Sequence, residues 1–292
     1  MRFIISPTPK LEVKNECKTI VISDVHLGTK GSKAKELIRF LKKYKCHNLI
    51  LNGDIIDGWQ LRKSGKWKRK HTRFFNLILK MIEHDNTKVT YIRGNHDDFL
   101  DQILPFSIGN LEIKREHIYV SFGKKYYITH GDVFDSITTQ FNWIAKLGDM
   151  GYTFLLWLNR QYNYRRMKKG IPYFSLSQSI KAKVKQAVKY IDDFETQLSS
   201  MAKYKNCDGI ICGHIHQPAL KEIDGIHYLN SGDWVESMTA LVEDLNGEWS
   251  LVHYSESEPS RRSKTEQEEG EKTIDIQDYF SQEGFGDKSE VG

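Results

Sequence analysis

Seven side chains that can bind metal ions occur in short polar blocks along the chain, and each block follows an apolar run of strand length. These residues are Asp24, His26, Asp54, Asn95, His130, His214 and His216. The C-terminal ends of strands in a layered α/β protein meet at one edge, so residues that follow different strands can form one site. Donors of this kind without a thiolate suit Mn, Fe or Zn better than Mg. The pattern predicts a dinuclear metal centre, with Asp54 as a carboxylate that bridges two cations about 3.5–4 Å apart.

Each block also has an ordinary structural explanation when it is considered alone. A Gly-Asp pair after a strand is often a turn, and a single histidine such as His130 is more often a core residue than a ligand. The i, i+2 spacing of Asp24 and His26 places both side chains on one side of an extended backbone, as two ligands of one ion require. Because five such blocks all follow predicted strands, a shared site is the better interpretation.

Hydrophobic periodicity predicts the elements that must position these blocks. Strands are predicted over 18–23, 48–52, 88–92, 117–121, 125–129, 208–212, 226–230, 238–242 and 249–253, with a hairpin turn at Gly123-Lys124. Apolar residues at helical spacing predict amphipathic helices over 34–44 and 72–84. The basic and aromatic segment 59–71 is predicted to be a loop or helix start near the mouth of the site.

Residues 135–205 interrupt the strand pattern and are predicted to form a helical insertion between two core strands. Bulky apolar side chains are mixed there with 12 Lys/Arg against 5 Asp/Glu. Helical spacing occurs over 153–160 and 179–198. We interpret the insertion as a lid over the site. The structural alternative is that its aromatic side chains form the lid's own core and its lysines a solvated face.

Charge is distributed unevenly along the chain. Residues 255–292 carry 5 Lys/Arg and 11 Asp/Glu, a net charge of −6, and the remaining residues carry 38 and 27, a net charge of +11. A body this basic suits an anionic substrate or an anionic surface. Residues 1–254 are predicted to form one domain, and the acidic tail, which has few apolar residues, is predicted to be disordered.

Cysteine spacing and hydropathy predict a soluble, cytoplasmic protein. The four cysteines form no CxxC pair, so neither a zinc ribbon nor a redox motif is indicated. No run approaches the ~18 consecutive apolar residues that a membrane-spanning helix requires. The first ten residues lack the apolar core of a signal peptide.

Together, the polar blocks resemble the signature of the calcineurin-like metallophosphoesterases. The matching blocks are Asp-x-His (24–26), Gly-Asp-x-x-Asp (53–57), Gly-Asn-His-Asp (94–97), His-Gly-Asp (130–132) and Gly-His-x-His (213–216). The resemblance covers roughly residues 18–254. It implies an α/β fold, a four-layer αββα sandwich with a helical lid insertion, and metal-dependent hydrolysis of a phosphoric ester or pyrophosphate.

The same resemblance implies roles for individual residues. The first metal would be held by Asp24, His26, Asp54 and His216, and the second by Asp54, Asn95, His130 and His214. His96 would protonate the leaving oxygen, and Asp97 would orient the His96 ring. Asp57 is expected to support the site and not to bind metal, whereas Asp132 would either support His130 or cap a turn. The expected cofactors are two divalent ions, Mn with Fe or Zn as alternatives.

Within this superfamily the chain resembles the UDP-2,3-diacylglucosamine pyrophosphatases of lipid A biosynthesis. The resemblance lies in segments 23–28 and 95–100 and in the helical insertion between His130 and His214. It implies cleavage of an anionic, lipid-linked nucleotide to UMP and 2,3-diacylglucosamine 1-phosphate at the cytoplasmic face of the inner membrane, with peripheral membrane association. Trp143 and Trp157 would line an acyl chamber in the lid. Phosphate or anionic headgroups would be held by Arg165, Arg166, Lys168 and Lys169.

One departure concerns His96, because the best-known branch of that family carries Arg at this position. Histidine is the general superfamily pattern, so the exact substrate stays open. The alternatives are a phosphoesterase of a nucleotide, a cyclic nucleotide or another phosphodiester, and a non-catalytic scaffold at a membrane surface. A nucleic-acid substrate is not expected, because the basic residues lie among large aliphatic side chains and not along an evident groove.

Overall fold

Two β-sheets form the centre of the molecule. The computed structural model describes residues 14–64, 66–133, 166, 168, 176–255 and 273–275. Its strands are β1 Asn15–Ile22, β2 Tyr44–Asn52, β3 Lys66–Lys68, β4 Lys88–Ile92, β5 Phe106–Ile108, β6 Leu111–Lys114, β7 Glu116–Ser121, β8 Lys124–Thr129, β9 Gly209–Cys212, β10 Ala219–Ile223, β11 Ile226–Asn230, β12 Thr239–Glu243, β13 Trp249–His253 and β14 Thr273–Asp275. The helices are α1 Ala34–Lys42, α2 Gly58–Ser64, α3 Arg69–Asp85 and α4 Leu176–Tyr204, with a 3-10 helix over Asn95–Gln102.

Parallel pairing brings the ends of the functional strands together. The larger sheet has seven strands in the order β13-β12-β1-β2-β4-β6-β5, in which β1, β2, β4 and β6 are parallel. The second has five strands in the order β10-β11-β9-β8-β7, in which β8, β9 and β11 are parallel. Each sheet therefore presents several strand C-termini at one edge, where loops can converge.

Side-chain alternation along the strands builds the layers. On β1, Ile20 and Ile22 belong to the cluster under α1 and α3, whereas Val21 points into the cluster between the two sheets. A third cluster joins the second sheet to α4. The order is therefore helices, sheet, sheet, helix, which confirms the predicted four-layer sandwich. Each fully buried aliphatic side chain of these clusters contributes roughly 1.5–3 kcal/mol.

The predicted strands are confirmed, and five short strands among the described residues were missed. Strands β4, β11 and β13 match their predicted ranges, and the turn at Gly123 joins β7 to β8. The strands that were not predicted are β3, β5, β6, β10 and β14. β5 and β10 lie at the edges of their sheets, with most of their side chains exposed, so they lack the apolar alternation that marks a core strand.

The C-terminal part of the insertion 135–205 belongs to the sandwich and not to a lid. The predicted helix over 179–198 lies within α4. Phe194, Leu198 and Ala202 of this helix are buried against the second sheet. The predicted boundary at residue 205 therefore includes part of the outer layer of the sandwich. The predicted helix over 153–160 lies outside the described residues.

The acidic tail contributes one short strand. β14 pairs antiparallel with β3, so the prediction of disorder does not hold for residues 273–275. The rest of 256–292 lies outside the described residues. No helix in the described part of the chain is both long enough and apolar enough to cross a lipid bilayer. All four cysteines are buried and free.

Candidate metal centre

The predicted ligands lie on loops whose backbone is strained. These loops follow β1, β2, β4, β8 and β9. Five of the seven residues have φ between 48° and 69°, namely Asp24, His26, Asp54, His214 and His216. Such a conformation costs on the order of 1–3 kcal/mol for a residue other than glycine and persists only where the surrounding structure enforces it. This concentration of strain at one edge of the sandwich is typical of a functional site.

The glycines of the motifs allow the loops to approach one another. A Cβ added to Gly94 would lie 2.3 Å from Asp54 Oδ1, and one added to Gly53 would lie 2.3 Å from His130 Nδ1. A Cβ on Gly213 would lie 2.6 Å from Asp24 Oδ2. All three distances are far below van der Waals contact. Any larger residue at these positions would therefore push apart two blocks that the site requires together.

Asp54 lies at the centre of the site. Its Oδ2 is 3.3 Å from His130 Nε2 on one side and 3.9 Å from His26 Nε2 on the other. Its Oδ1 accepts a hydrogen bond of 2.8 Å from the backbone N–H of His96. One carboxylate oxygen is thus fixed by the backbone, and the other lies between two imidazoles. This is the arrangement that a carboxylate bridging two cations needs.

The ligand atoms of the described residues form three overlapping groups, within each of which they lie within 4.8 Å of one another. One group is Asp24, His26 and His216, and another is Asp54, His130 and His214. The third, His26, Asp54 and His96, shares a member with each of the other two. Asp24 Oδ1 is 3.1 Å from His216 Nε2 and 3.9 Å from His26 Nε2. Donors bound to one ion at about 2.1 Å lie about 3 Å apart or slightly more. These spacings therefore fit two ions.

Buried polar atoms without partners also indicate cations. Within the described part of the chain, the buried atoms Asp24 Oδ1, Asn95 Oδ1 and His130 Nε2 have no hydrogen-bond partner. His130 Nδ1 lies 2.9 Å from the carbonyl oxygen of Asn52, to which it can donate, so Nε2 is the ring nitrogen left to bind a cation. Leaving such atoms unsatisfied costs roughly 1–3 kcal/mol each. Bound divalent ions would satisfy them, so the residues present fit a dinuclear centre.

The pKa values of Asp54, His130 and His216 are shifted in the directions that favour positive charge at the site. Burial opposes ionisation of Asp54, but the facing His130 and His26 lower its pKa to about 2. Burial likewise opposes protonation of His216, yet contact with Asp24 raises its pKa to about 9. Burial works against protonation of His130 as well, but Asp54 and Asp24 raise its pKa well above the ordinary value. In the absence of metal, protons therefore occupy the positions that cations would take.

The hydrogen bonds of Asp97 go mainly to the loop that carries Asp54. Its Oδ1 accepts hydrogen bonds from the backbone N–H of Ile56 (2.9 Å) and the hydroxyl of Tyr91 (2.8 Å), and its Oδ2 accepts one from the N–H of Ile55 (3.1 Å). The carboxylate is fully buried. Burial and the nearby charge of Asp54 raise the pKa of Asp97 to about 7. Asp97 therefore holds the loop that carries Asp54, and no hydrogen bond between Asp97 and the His96 ring is found among the described residues.

Asp57 takes the place next to His96. The Oδ1 atom of Asp57 lies 3.1 Å from His96 Nδ1, and its Oδ2 lies 3.6 Å from His26 Nδ1. His96 Nε2 faces the centre, 4.0 Å from Asp54 Oδ2. Burial opposes protonation of His96, but Asp57 and Asp54 raise its pKa above the ordinary value. The ring of Trp59 packs on the imidazole, with 4.2 Å between centroids.

The carboxylate of Asp132 pairs with an arginine that lies outside the metal centre. Its carboxylate forms an ion pair with Arg93, which also binds Asp101 at 3.0 Å. No hydrogen bond is found between Asp132 and His130 among the described residues. The arginine thus ties the loop after β8 to the 3-10 helix that begins at Asn95.

Sequence reasoning placed Trp59 only within a segment near the mouth of the site. It missed Tyr91 and Arg93, because a single aromatic or arginine carries no spacing signal. The structure does not test the predicted substrate-binding residues of the insertion. Trp143, Trp157, Arg165 and Lys169 lie outside the described residues, and Arg166 and Lys168 are described only as isolated positions.

A sandwich of two sheets between helices, with two donor groups around one carboxylate at the strand ends, defines the dinuclear metallophosphoesterase class. The family model for calcineurin-like phosphoesterases matches residues 17–218. The chain belongs to the calcineurin-like phosphoesterase family and is a metal-dependent phosphohydrolase.

Comparison with known proteins finds distant relatives that share the same description. The UDP-2,3-diacylglucosamine hydrolase of Blochmanniella pennsylvanica is 25% identical over 221 residues, covering 70% of this chain and 81% of the relative. The UDP-2,3-diacylglucosamine hydrolase of Vibrio cholerae is 22% identical over 253 residues, covering 81% and 94%. Among solved structures, a phosphoesterase from E. coli is 13% identical with a TM-score of 0.40, covering 81% of this chain and 99% of that one.

Proposed function

We propose that this protein hydrolyses the pyrophosphate bond of UDP-2,3-diacylglucosamine and releases UMP and 2,3-diacylglucosamine 1-phosphate, a step of lipid A biosynthesis. The observation that carries the proposal is the position of Asp54 Oδ2 between two groups of metal-binding side chains. The substrate is suggested by the description that the relatives share over most of the chain. Mn is the proposed metal at both positions.

The bound cations would neutralise the charge of the phosphoryl oxygens and supply a water molecule of lowered pKa. Asp24, His26, Asp54 and His216 would hold one ion, and Asp54, Asn95, His130 and His214 the other. Asp97 keeps the Asp54 loop in place through the N–H groups of Ile55 and Ile56.

His96 would donate the proton that the leaving oxygen needs. Its Nε2 is directed toward the centre, and its Nδ1 lies against Asp57, which favours the protonated ring. Trp59 restricts the orientation of the imidazole from the other side. A group held in this way can act as a general acid when the leaving oxygen comes within hydrogen-bond distance of Nε2.

The lipid portion of the substrate is assigned to the insertion. Its aromatic residues, Trp143 and Trp157, would contact the acyl chains, and its basic residues would hold phosphate groups or lie against anionic lipid headgroups. The basic body of the chain supports this assignment. The protein would then work in the cytoplasm as a peripheral protein of the inner membrane.

The direct test is release of UMP from UDP-2,3-diacylglucosamine by the purified protein loaded with Mn²⁺, and then with Zn²⁺, Fe²⁺, Co²⁺ and Mg²⁺ in turn. Release with Mn²⁺ supports both the substrate and the metal. Absence of release with every ion would exclude this substrate.

A second candidate function is hydrolysis of another phosphodiester or a nucleotide. His96 favours it, because a histidine at this position suits general phosphoester cleavage.

A variant with Arg165, Arg166, Lys168 and Lys169 all changed to alanine distinguishes the two candidate functions. For the lipid substrate, KM should rise at least about tenfold, as expected when charge-assisted contacts are lost, with little change for a small aryl phosphate. Lys124→Ala/Lys125→Ala, in the exposed β7–β8 hairpin, is the control. Equal effects on both substrates would favour the second function.

A further inference from the structure

A strand pairing connects the acidic tail to a basic segment beside the metal centre. β14 pairs antiparallel with β3, with Thr273 opposite Lys68, Ile274 opposite Trp67 and Asp275 opposite Lys66. The two strands form a sheet of their own, separate from the two sheets of the sandwich. The register places position 275, an aspartate, opposite position 66, a lysine, and residue types of opposite charge at paired positions favour strand pairing.

The sequence segments that contain the two strands have opposite charge. Segment 62–73 contains seven Lys/Arg and no acidic residue, whereas segment 266–278 contains six Asp/Glu and one Lys. Trp67 packs on His71 and Phe75, and its Nε1 donates to Thr72 Oγ1 at 2.9 Å. Because Trp67 is anchored in this way, β3 holds a fixed position at the start of α3.

The basic segment 62–73 is continuous with loops of the metal centre. Asp57, which contacts His96, immediately precedes α2, and α2 ends two residues before β3. Lys70 Nζ donates to the carbonyl oxygen of Ser32 at 2.8 Å, in the loop that follows His26. Together with Lys30, Lys33 and Lys35, Lys70 lines a surface cavity of about 510 Å³. A polyanion bound to this segment would therefore lie close to the loop that follows His26 and to the helix that follows Asp57.

We propose that the tail docks on segment 62–73 through β14 as an intramolecular acidic strap, which competes with an anionic lipid surface for the same basic residues. Each lysine or arginine near an anionic membrane favours binding, so neutralising this segment from within the chain weakens membrane association. The choice of a membrane as the competitor rests on the proposed function, whereas docking of the tail does not.

Cysteine cross-linking in the full chain tests the docking itself. Residues directly opposite each other in an antiparallel pair have Cα atoms about 4.5–5.5 Å apart, within the range that a disulfide spans. Lys66→Cys/Asp275→Cys is expected to form an intramolecular disulfide under mild oxidation. Lys66→Cys/Asp278→Cys, displaced by about 10 Å along the strand, is the out-of-register control and should not. Equal yields in the two variants, no disulfide in either, or only intermolecular disulfides would overturn the docking.

Vesicle binding tests the competition. Ile274→Pro removes a backbone N–H and disfavours strand pairing, and Val291→Pro, outside β14, is the matched control. On vesicles containing phosphatidylglycerol, Ile274→Pro should bind about fivefold more tightly than the unmodified chain, the effect expected for uncovering one basic residue. Val291→Pro should bind as the unmodified chain does, and neutral vesicles should show no difference. Unchanged binding of Ile274→Pro would overturn the competition.

The result of the cross-linking test does not depend on which substrate the protein hydrolyses. If UDP-2,3-diacylglucosamine is not hydrolysed but the in-register disulfide forms, the proposed function fails and the docking stands. If the lipid is hydrolysed but neither disulfide forms, the docking fails and the proposed function stands.

Discussion

Asp54 and His96 meet at two points. The backbone N–H of His96 donates to Asp54 Oδ1 at 2.8 Å, and the ring Nε2 of His96 lies 4.0 Å from Asp54 Oδ2. The first contact fixes the carboxylate, and the second places a titratable nitrogen beside the oxygen that would bridge the cations. The residue predicted to bridge the two metals and the residue that would protonate the leaving group are therefore held in one rigid relationship.

Replacing Asp54 with Asn should abolish turnover and release both metals, because the amide cannot supply the negative charge that the two cations share. The measurement is metal content per chain by elemental analysis after gel filtration. Asp224→Asn, in the exposed β10–β11 turn where φ is 49°, is a suitable control, since Asn tolerates this conformation. Retention of two metals by the Asp54 variant would show that this residue is not the bridge.

Replacing His96 with Ala should slow hydrolysis by roughly 10²–10⁴, the range for a lost general acid, with both metals retained. Single-turnover rates with an activated and a poor leaving group provide the measurement. The loss should be larger for the poor leaving group, because that group depends more on protonation. A loss below about tenfold for both would mean that protonation by His96 is not required.

Replacing Asp57 with Asn should shift the alkaline limb of the kcat/KM profile to lower pH. Asp57 contributes to the raised pKa of His96, and a general acid loses activity as pH rises through its own pKa. Removing the charge of Asp57 lowers that pKa, so activity should be lost at a lower pH. The amide oxygen can still accept the N–H of Gln60, which now bonds Asp57 Oδ1 at 2.8 Å.

Trp59→Phe is the matched control for this pH profile. It removes the indole N–H, which donates to Asp98 at 3.2 Å, and keeps an aromatic ring that can pack on His96. Its alkaline limb should stay in place. If the limb of Asp57→Asn also stays in place, the ionisation that limits activity at high pH belongs to another group.

Replacing Asp97 with Asn should lower metal affinity about 10–100-fold, the usual effect of losing a group that holds a metal ligand in place. The amide cannot accept hydrogen bonds at both of its terminal atoms, so Ile55 or Ile56 would lose its acceptor and the Asp54 loop would loosen. Titration with Mn²⁺ and calorimetry would measure the change. Tyr91→Phe, which removes only one of the donors, should have a smaller effect. Unchanged metal affinity in Asp97→Asn would rule out this supporting role.

The layers of the fold could be predicted because core strands carry their signal locally. Ile20, Val21 and Ile22 form a continuous apolar run since both faces of β1 are buried. β5 and β10 carry no such signal because most of their side chains are exposed. α4 was predicted as a helix, but its membership of the outer layer depends on Phe194 and Leu198 meeting the second sheet, a contact between residues far apart in sequence.

The sequence by itself predicted which residues could form a metal centre, because a polar block directly after a buried strand must lie at the end of that strand and a glycine beside it allows close approach. The tertiary structure alone decided the partners of these residues. His96 contacts Asp57, 39 positions earlier, and its neighbour Asp97 turns under the Asp54 loop. The reason is geometric: the 3-10 turn that starts at Asn95 directs adjacent side chains to different sides, and the 53–57 loop then offers each of them a different partner.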